Sequence, residues 1–326
     1  MAASIARSRT NVVAIGGCLE SKSRSNPTAI GVICGIVAAG FWAAGFAGVR
    51  HGLDVGFYPA DLAVHRYLWP GLALLPVVLR GGIGDLDGIG WGRGILLTVL
   101  GGPVFAIIGY AGFLLVPLGH GGVIQPSCGA LGGLVLATLV LREKLIISRL
   151  IGALIVIGGL LVIAGEGAVT IGAQGIDGDL ILALAGFMSG GFATLLRLWR
   201  IAPMAAAAVI SVLSLFAMPL YWFLGGVAHM SALGWRENLL QAVLQGVLAG
   251  PAALFLFVRS ITLIGAGRAA IFFSLVPPFV LLIGWLALGE TPSLLQLIGL
   301  TIVLFGFQLT QKELKTDPKD IGSATT

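Results

Sequence analysis

The chain has 326 residues, of which 57% are apolar and only 10% charged, with 50 glycines and a mean hydropathy of +1.03. Average soluble domains carry about 25% charged residues, so this composition excludes a cytosolic enzyme, a disordered chain and a coiled coil, and marks an integral membrane protein. The net charge of +5 does not signal nucleic acid, because the basic residues stand singly between apolar runs, as topology-setting charges do.

The N-terminal stretch holds Arg7, Arg9, Lys22 and Arg24 with one acid, Glu20. It reads as a cytosolic tail over 1–27, a cleaved targeting peptide being the alternative; the apolar stretch Val12 to Gly17 is too short for a secretory core. A bilayer core of about 30 Å takes about 20 helical residues. Ten apolar runs of that length follow: 28–49, 62–79, 95–117, 120–141, 145–165, 179–199, 204–225, 237–258, 267–288 and 293–311. Their connections, such as Arg80 to Gly94 and Gly165 to Gly178, are too short for an extramembrane domain. Pro70, Pro76, Pro126, Pro219, Pro251 and Pro277-Pro278 fall inside spans, where they free backbone carbonyls for kinks or solute contact. Cys18, Cys34 and Cys128, scattered and odd in number, form neither a disulfide framework nor a zinc cluster. With the N-terminus inside, 16 of the 19 Lys and Arg fall on the cytosolic side, and only Arg50, Arg66 and Arg236 outside. This is a strong positive-inside signal and places both termini in the cytosol, with a C-terminal tail over 312–326.

A shift of 147 residues lays Leu141, Glu143, Leu150, Ile151, Gly152, Ile155, Val156 and Gly159 on Leu288, Glu290, Leu297, Ile298, Gly299, Ile302, Val303 and Gly306. Five spans therefore make one unit, and an odd number inverts the second copy in the membrane. The expected fold is an all-α membrane protein of ten transmembrane helices in two inverted five-helix repeats, 28–165 and 179–311. Such repeats suit a secondary transporter whose halves rock about a midplane site.

The stretch Gly265-Ala-Gly-Arg-Ala-Ala270, then Val276-Pro-Pro278, Leu288-Gly-Glu-Thr-Pro292, Gln296-Leu-Ile-Gly299 and Gly306 resembles the second EamA-type repeat of the drug/metabolite transporter superfamily. The first copy is similar in Gly119 to Gly122, Leu141-Arg-Glu-Lys144 and Gly152, with Trp42 and His65-Arg66-Tyr67 at matching positions. It departs in having no proline opposite Pro277, and in Arg50 where many relatives carry lysine. The resemblance implies export or exchange of amino acids, metabolites, drugs or nucleotide sugars, without selecting among them.

His65 and Arg66 are the foremost substrate-path candidates, since intramembrane ionisable groups are costly, an arginine on the order of 3 kcal/mol; the pairing argument rests on Arg66. Arg66 suits an anionic or zwitterionic substrate, or else snorkels to headgroups or pairs with Asp61. Asp61, His65 and Trp69 share a helix face, and Asp61 is expected to favour the charged form of His65. No carboxylate stands at mid-span, so exchange without proton coupling, or a weak coupling through His65, is expected. Trp42, Tyr110, Gln125, Ser189 and Trp285 are further path candidates, with packing as the plainer role for each. Glu143, Glu290 and Pro277 form helix-turn motifs, with the two glutamates expected to cap the following helix. The pairs Gly31/Gly35, Gly129/Gly133, Gly186/Gly190 and Gly246/Gly250 suit close helix contact. No cofactor, metal or catalytic motif is legible, which disfavours an intramembrane enzyme; a non-transporting receptor is the other alternative. The expected partners are a small-molecule substrate and the lipid bilayer, in a bacterial plasma membrane, with a homodimer left open and no nucleic acid.

Overall fold

The computed structural model describes residues 27–310 apart from 83, 87, 144 and 145. The expected tails, beyond Pro27, and Lys144 lie outside the described residues. Ten long helical segments follow one another: α1 (Pro27–Asp54), α2 (Pro59–Gly81), α3 (Trp91–Gly112), α4 (Leu118–Val140), α5 (Ile147–Thr170), α6 (Ala173–Trp199), α7 (Pro203–Phe223), α8 (Trp235–Ile264), α9 (Ile271–Leu288) and α10 (Leu294–Thr310). Nine are long and apolar enough to cross a membrane, and the shorter α10 runs to the last described residue. A short helix, Gly226–Ala232, caps the α7–α8 connection.

Helix ends differ from the limits set by hydropathy, for a backbone reason. Arg50 and His51 close the first apolar run, yet α1 continues through both and stops before Gly56, whose φ of +106° is left-handed. Charge ends apolarity; it does not break an intrahelical hydrogen bond. Likewise α6 begins at Ala173 rather than 179, after Gly172 at φ +83°, so that Asp177 and Asp179 lie inside the helix beyond its first turn. Helix α8 runs on to Ile264 and ends at Gly265, with φ +86°.

The packing repeats under an advance of five helices. α1 packs on α8 and α9, as α6 packs on α3 and α4; α2 on α8 matches α7 on α3. The pairs α2–α7, α4–α9 and α5–α10 map onto themselves. The architecture is two inverted five-helix repeats about a pseudo-twofold axis. Glycines make the self-paired contact of α5 and α10 reciprocal. A Cβ on Gly152 would lie 2.7 Å from the Gly306 oxygen, and one on Gly159 would lie 2.8 Å from the Gly299 oxygen. Gly152 and Gly299 are repeat equivalents, as are Gly159 and Gly306, so each equivalent faces the other's partner. On α4 and α6 the predicted glycine pairs also meet: a Cβ on Gly190 would lie 2.5 Å from the Gly129 oxygen and from the Gly133 nitrogen.

The third helix of each repeat is broken. In α3 the break is at Gly102 (φ −104°, ψ −149°), ahead of Pro103. In α8 residues Ala242–Ala252 wind as a π-helix, and Gly250 leaves helical geometry (φ −88°, ψ −110°) ahead of Pro251. Proline supplies no N–H and clashes with the carbonyl four residues back, and both Gly-Pro pairs do this at nearly equivalent depths.

Candidate functional site

Arg66 lies seven residues into α2, about 10 Å along it at 1.5 Å per residue. Its Nη1 donates to the Tyr110 hydroxyl at 3.5 Å. That hydroxyl donates to Gln245 Oε1 at 3.2 Å, and Gln245 Nε2 donates to the Gly45 carbonyl at 2.8 Å. A polar chain thus crosses α2, α3, α8 and α1. Beside it, the Tyr67 hydroxyl donates to the Gly101 carbonyl at 2.7 Å, next to the break in α3. Among the described residues no carboxylate forms an ion pair with Arg66, in contrast to Arg50, Arg149 and Arg197.

Trp42, one turn along α1 from Gly45, stacks on Phe273 at 4.7 Å and meets Phe257 at 5.4 Å. Phe257 and Phe273 contact each other edge to face at 4.5 Å. Gln245 and Phe257 stand on either side of the break in α8, so polar donors and aromatic rings flank the same interrupted backbone. The 147-residue shift carries Tyr110 onto Phe257: the first repeat places a hydroxyl where the second places a bare ring.

The remaining expected residues have other surroundings. His65 Nε2 faces Asn238 Oδ1 at 3.1 Å, and Trp69 Nε1 donates to His65 Nδ1 at 3.3 Å. Asn238 Nδ2 is committed to the Met230 and Gly234 carbonyls at 2.7 Å each, so its oxygen is the atom turned to the imidazole. With Nδ1 accepting and Nε2 donating, the network holds the neutral Nε2–H tautomer, as inferred from heavy-atom geometry. Asp61 makes no hydrogen bond to His65, and the Arg66–Asp61 pairing is corrected here, since no such ion pair forms among the described residues. Asp61 is 1% exposed and both its oxygens are engaged elsewhere. It accepts from Tyr58 N at 2.8 Å and the Tyr221 hydroxyl at 2.5 Å, and lies 2.8 Å from His229 Nδ1.

Gln125 is buried beside Gly109, with Oε1 unpartnered among the described residues. Ser189 donates to the Gly186 carbonyl of its own helix at 2.7 Å. Trp285 is 54% exposed on the same stripe as Leu282 and Leu286, away from the buried Val280, Leu281 and Gly284. Pro277 is buried at the start of the regular part of α9.

Glu290 accepts from Arg50 Nε at 3.1 Å and from Leu118 N, the first residue of α4, at 2.9 Å. The helix it serves is therefore α4 and not the following α10. Arg50 Nη1 also donates to the Phe113 carbonyl at 3.0 Å. Glu143 pairs with Arg149 at 3.5 Å and with Arg197. The repeat shift relates Arg50 to Arg197 as it relates Glu143 to Glu290 (197 − 50 and 290 − 143). Equivalent ion pairs thus join the two repeats at opposite ends of the bundle.

Gln245, Tyr67 and the role of Arg50 escaped the sequence reading. Asn238, Gln241 and Gln245 recur at three- and four-residue spacing along one face of the apolar α8, a signal that was present. Gln241, like Gln245, donates to a carbonyl of α1, that of Gly48, at 2.9 Å.

Comparison with known proteins accords with this architecture. The chain matches the EamA-like transporter family over residues 29–165 and again over 176–310. It is 27% identical over 278 residues to the uncharacterized transporter YdfC of Bacillus subtilis (strain 168), covering 83% of this chain and 87% of that protein. One crystal structure, described only as that of a protein, is alike in fold with a TM-score of 0.56 at 17% identity, covering 88% of this chain and 96% of the other. Two repeats of five apolar helices, both matching one family, make this chain an integral multi-pass membrane transporter that belongs to the EamA-like transporter family of the drug/metabolite transporter superfamily.

Proposed function

We propose that the protein is a secondary transporter, an exporter or exchanger, that moves a small organic anion or zwitterion by alternating access of its two repeats. The observation that carries this reading is Arg66, a guanidinium inside a span with no carboxylate partner among the described residues. An unpaired charge away from water is costly, and a solute carboxylate would compensate it. Tyr110 and Gln245 extend the polar side of the site, and Trp42, Phe257 and Phe273 offer an apolar body a surface. The ion pairs Arg50–Glu290 and Arg197–Glu143 would act as latches, one at each face, broken in turn. The bias of Lys and Arg favours a bacterial plasma membrane with cytosolic termini.

The test is flux of a panel of amino acids and organic acids in proteoliposomes. Arg66→Ala is expected to lose at least tenfold in flux, in keeping with about 1.5–3 kcal/mol for a hydrogen bond to a charged group, with its melting temperature in detergent retained. Arg66→Lys recovers part of the flux if a point charge suffices, and fails if the contact is two-pronged. Wild-type flux in well-folded Arg66→Ala would overturn the assignment.

A further inference from the structure

His120 and Asp179 take no part in the solute site, yet they form the most deeply buried ion pair among the described residues, with side chains 1% and 8% exposed. Nδ1 of His120 lies 3.2 Å from Oδ1 of Asp179. His120 is near the start of α4 in the first repeat, and Asp179 is in α6 of the second. The second carboxylate oxygen, Oδ2, is shut off from solvent and has no hydrogen-bond partner among the described residues. Leaving such an oxygen charged and unsatisfied is expensive, and a proton on the pair relieves the cost without moving a heavy atom.

Among the described residues no cation other than His120 pairs with Asp179. The connection after α3 presents Leu115 and Val116 to Gly178, and Phe113 to Gly121, while α9 presents Val280 to Gly122. α10 brings the uncharged Gln296 against Gly119. The titratable groups near the pair are Cys128, further along α4, the exposed Asp177 on α6, and Glu166 on α5, which lines a cavity together with Pro117 and Gly119 beside His120. The charged groups at this end of α4, Arg50 and Glu290, are bonded to each other, to the Phe113 carbonyl and to Leu118 N. At the equivalent positions the shift of 147 places Gly267, in the short helix Ala266–Ala269 ahead of α9, and Val32 of α1, so the pair has no counterpart in the other half.

We propose that His120 and Asp179 together are a proton-binding site buried between the two repeats. One proton from water adds to the pair, its charge rises from −1 to 0, and no other bond forms or breaks. Because α4 and α6 belong to different repeats and touch through glycine backbones further along, the charge of the pair bears on the interface that rocking must alter. The use of this proton in a transport cycle rests on the proposed function, whereas its binding does not.

Difference titration of the purified protein tests the site by counting protons bound per chain between about pH 8 and pH 5. The His120→Asn/Asp179→Asn protein is expected to bind one proton fewer than wild type; superimposable curves would overturn the proposal. If that variant does not fold, His120→Gln/Asp179→Ser, which also removes both groups, is expected to lose the same proton, and an unchanged curve there has the same adverse meaning. Arg66→Ala is expected to keep the wild-type curve; loss of the proton in that variant would assign it to the solute site and refute this one. Wild-type protein that carries no solute in the flux panel but shows the His120–Asp179 proton would leave this site standing and defeat the proposed function.

Discussion

At the position shared by Tyr110 and Phe257, a single hydroxyl distinguishes the two halves of the site, and it lies between the Arg66 guanidinium and the Gln245 amide. Tyr110→Phe keeps the ring and deletes that link. A hydrogen bond of this kind contributes about 0.5–1.5 kcal/mol, so solute affinity in Tyr110→Phe is expected to fall by about two- to tenfold, read as a rise in half-saturating concentration with little change in melting temperature. Gln245→Leu does more, since it also strips the Gly45 carbonyl of its donor inside the bundle. Melting of Gln245→Leu in detergent is expected several degrees below wild type. Neither pairing was legible in the sequence: Arg66 and Tyr110 are 44 residues apart and Tyr110 and Gln245 are 135 apart. Only the rotation of each helix about its axis brings them face to face.

Glycine sets how closely the elements approach. The lipid tail is as apolar as leucine, so helix association inside a bilayer depends on close packing more than on water exclusion. A side chain at Gly190 would run into the backbone of α4, whereas nothing lies within 4 Å of the Cβ position of Gly158 on α5. Gly190→Leu is therefore expected to cost at least about 1–3 kcal/mol by overpacking, seen as a lowered melting temperature, while Gly158→Leu stays near wild type. Equal behaviour of the two would show that the α4–α6 contact is not close-packed. The sequence announced Gly129/Gly133 and Gly186/Gly190 as close-contact faces, and the fold sets one against the other. It marked Pro251 for a kink but not Pro103, and whether a Gly-Pro pair bends the chain depends on what the neighbouring helices supply to the freed carbonyls.

For the molecule as a whole, the ion pairs Arg50–Glu290 and Arg197–Glu143, proposed above as latches, give the proposed alternating access a test independent of the solute. Each neutralised latch should favour opening at its own face. Buried Ala43, beside Trp42, provides a reporter when replaced by cysteine in a background free of native cysteines. Glu290→Gln is expected to raise labelling of that cysteine by an impermeant thiol reagent from one side of the membrane, and Glu143→Gln from the other. Labelling that rises from the same side in both variants would defeat the inverted arrangement of the latches.

The membrane class, the ten spans and the doubled, inverted plan are written in the linear order, because each depends on composition, run length or a fixed shift, and none depends on which way a side chain points. The Glu143–Glu290 correspondence was visible on those terms. That Glu290 serves α4 and Arg50, that Asp61 turns to Tyr221 and His229 instead of His65, and that Trp285 faces outward while Trp42 joins Phe257 and Phe273 were decided by the tertiary structure. A polar group inside a bilayer protein takes whichever partner the helix rotations bring within about 3 Å, and in this bundle those rotations follow from glycine contacts between segments far apart in the chain.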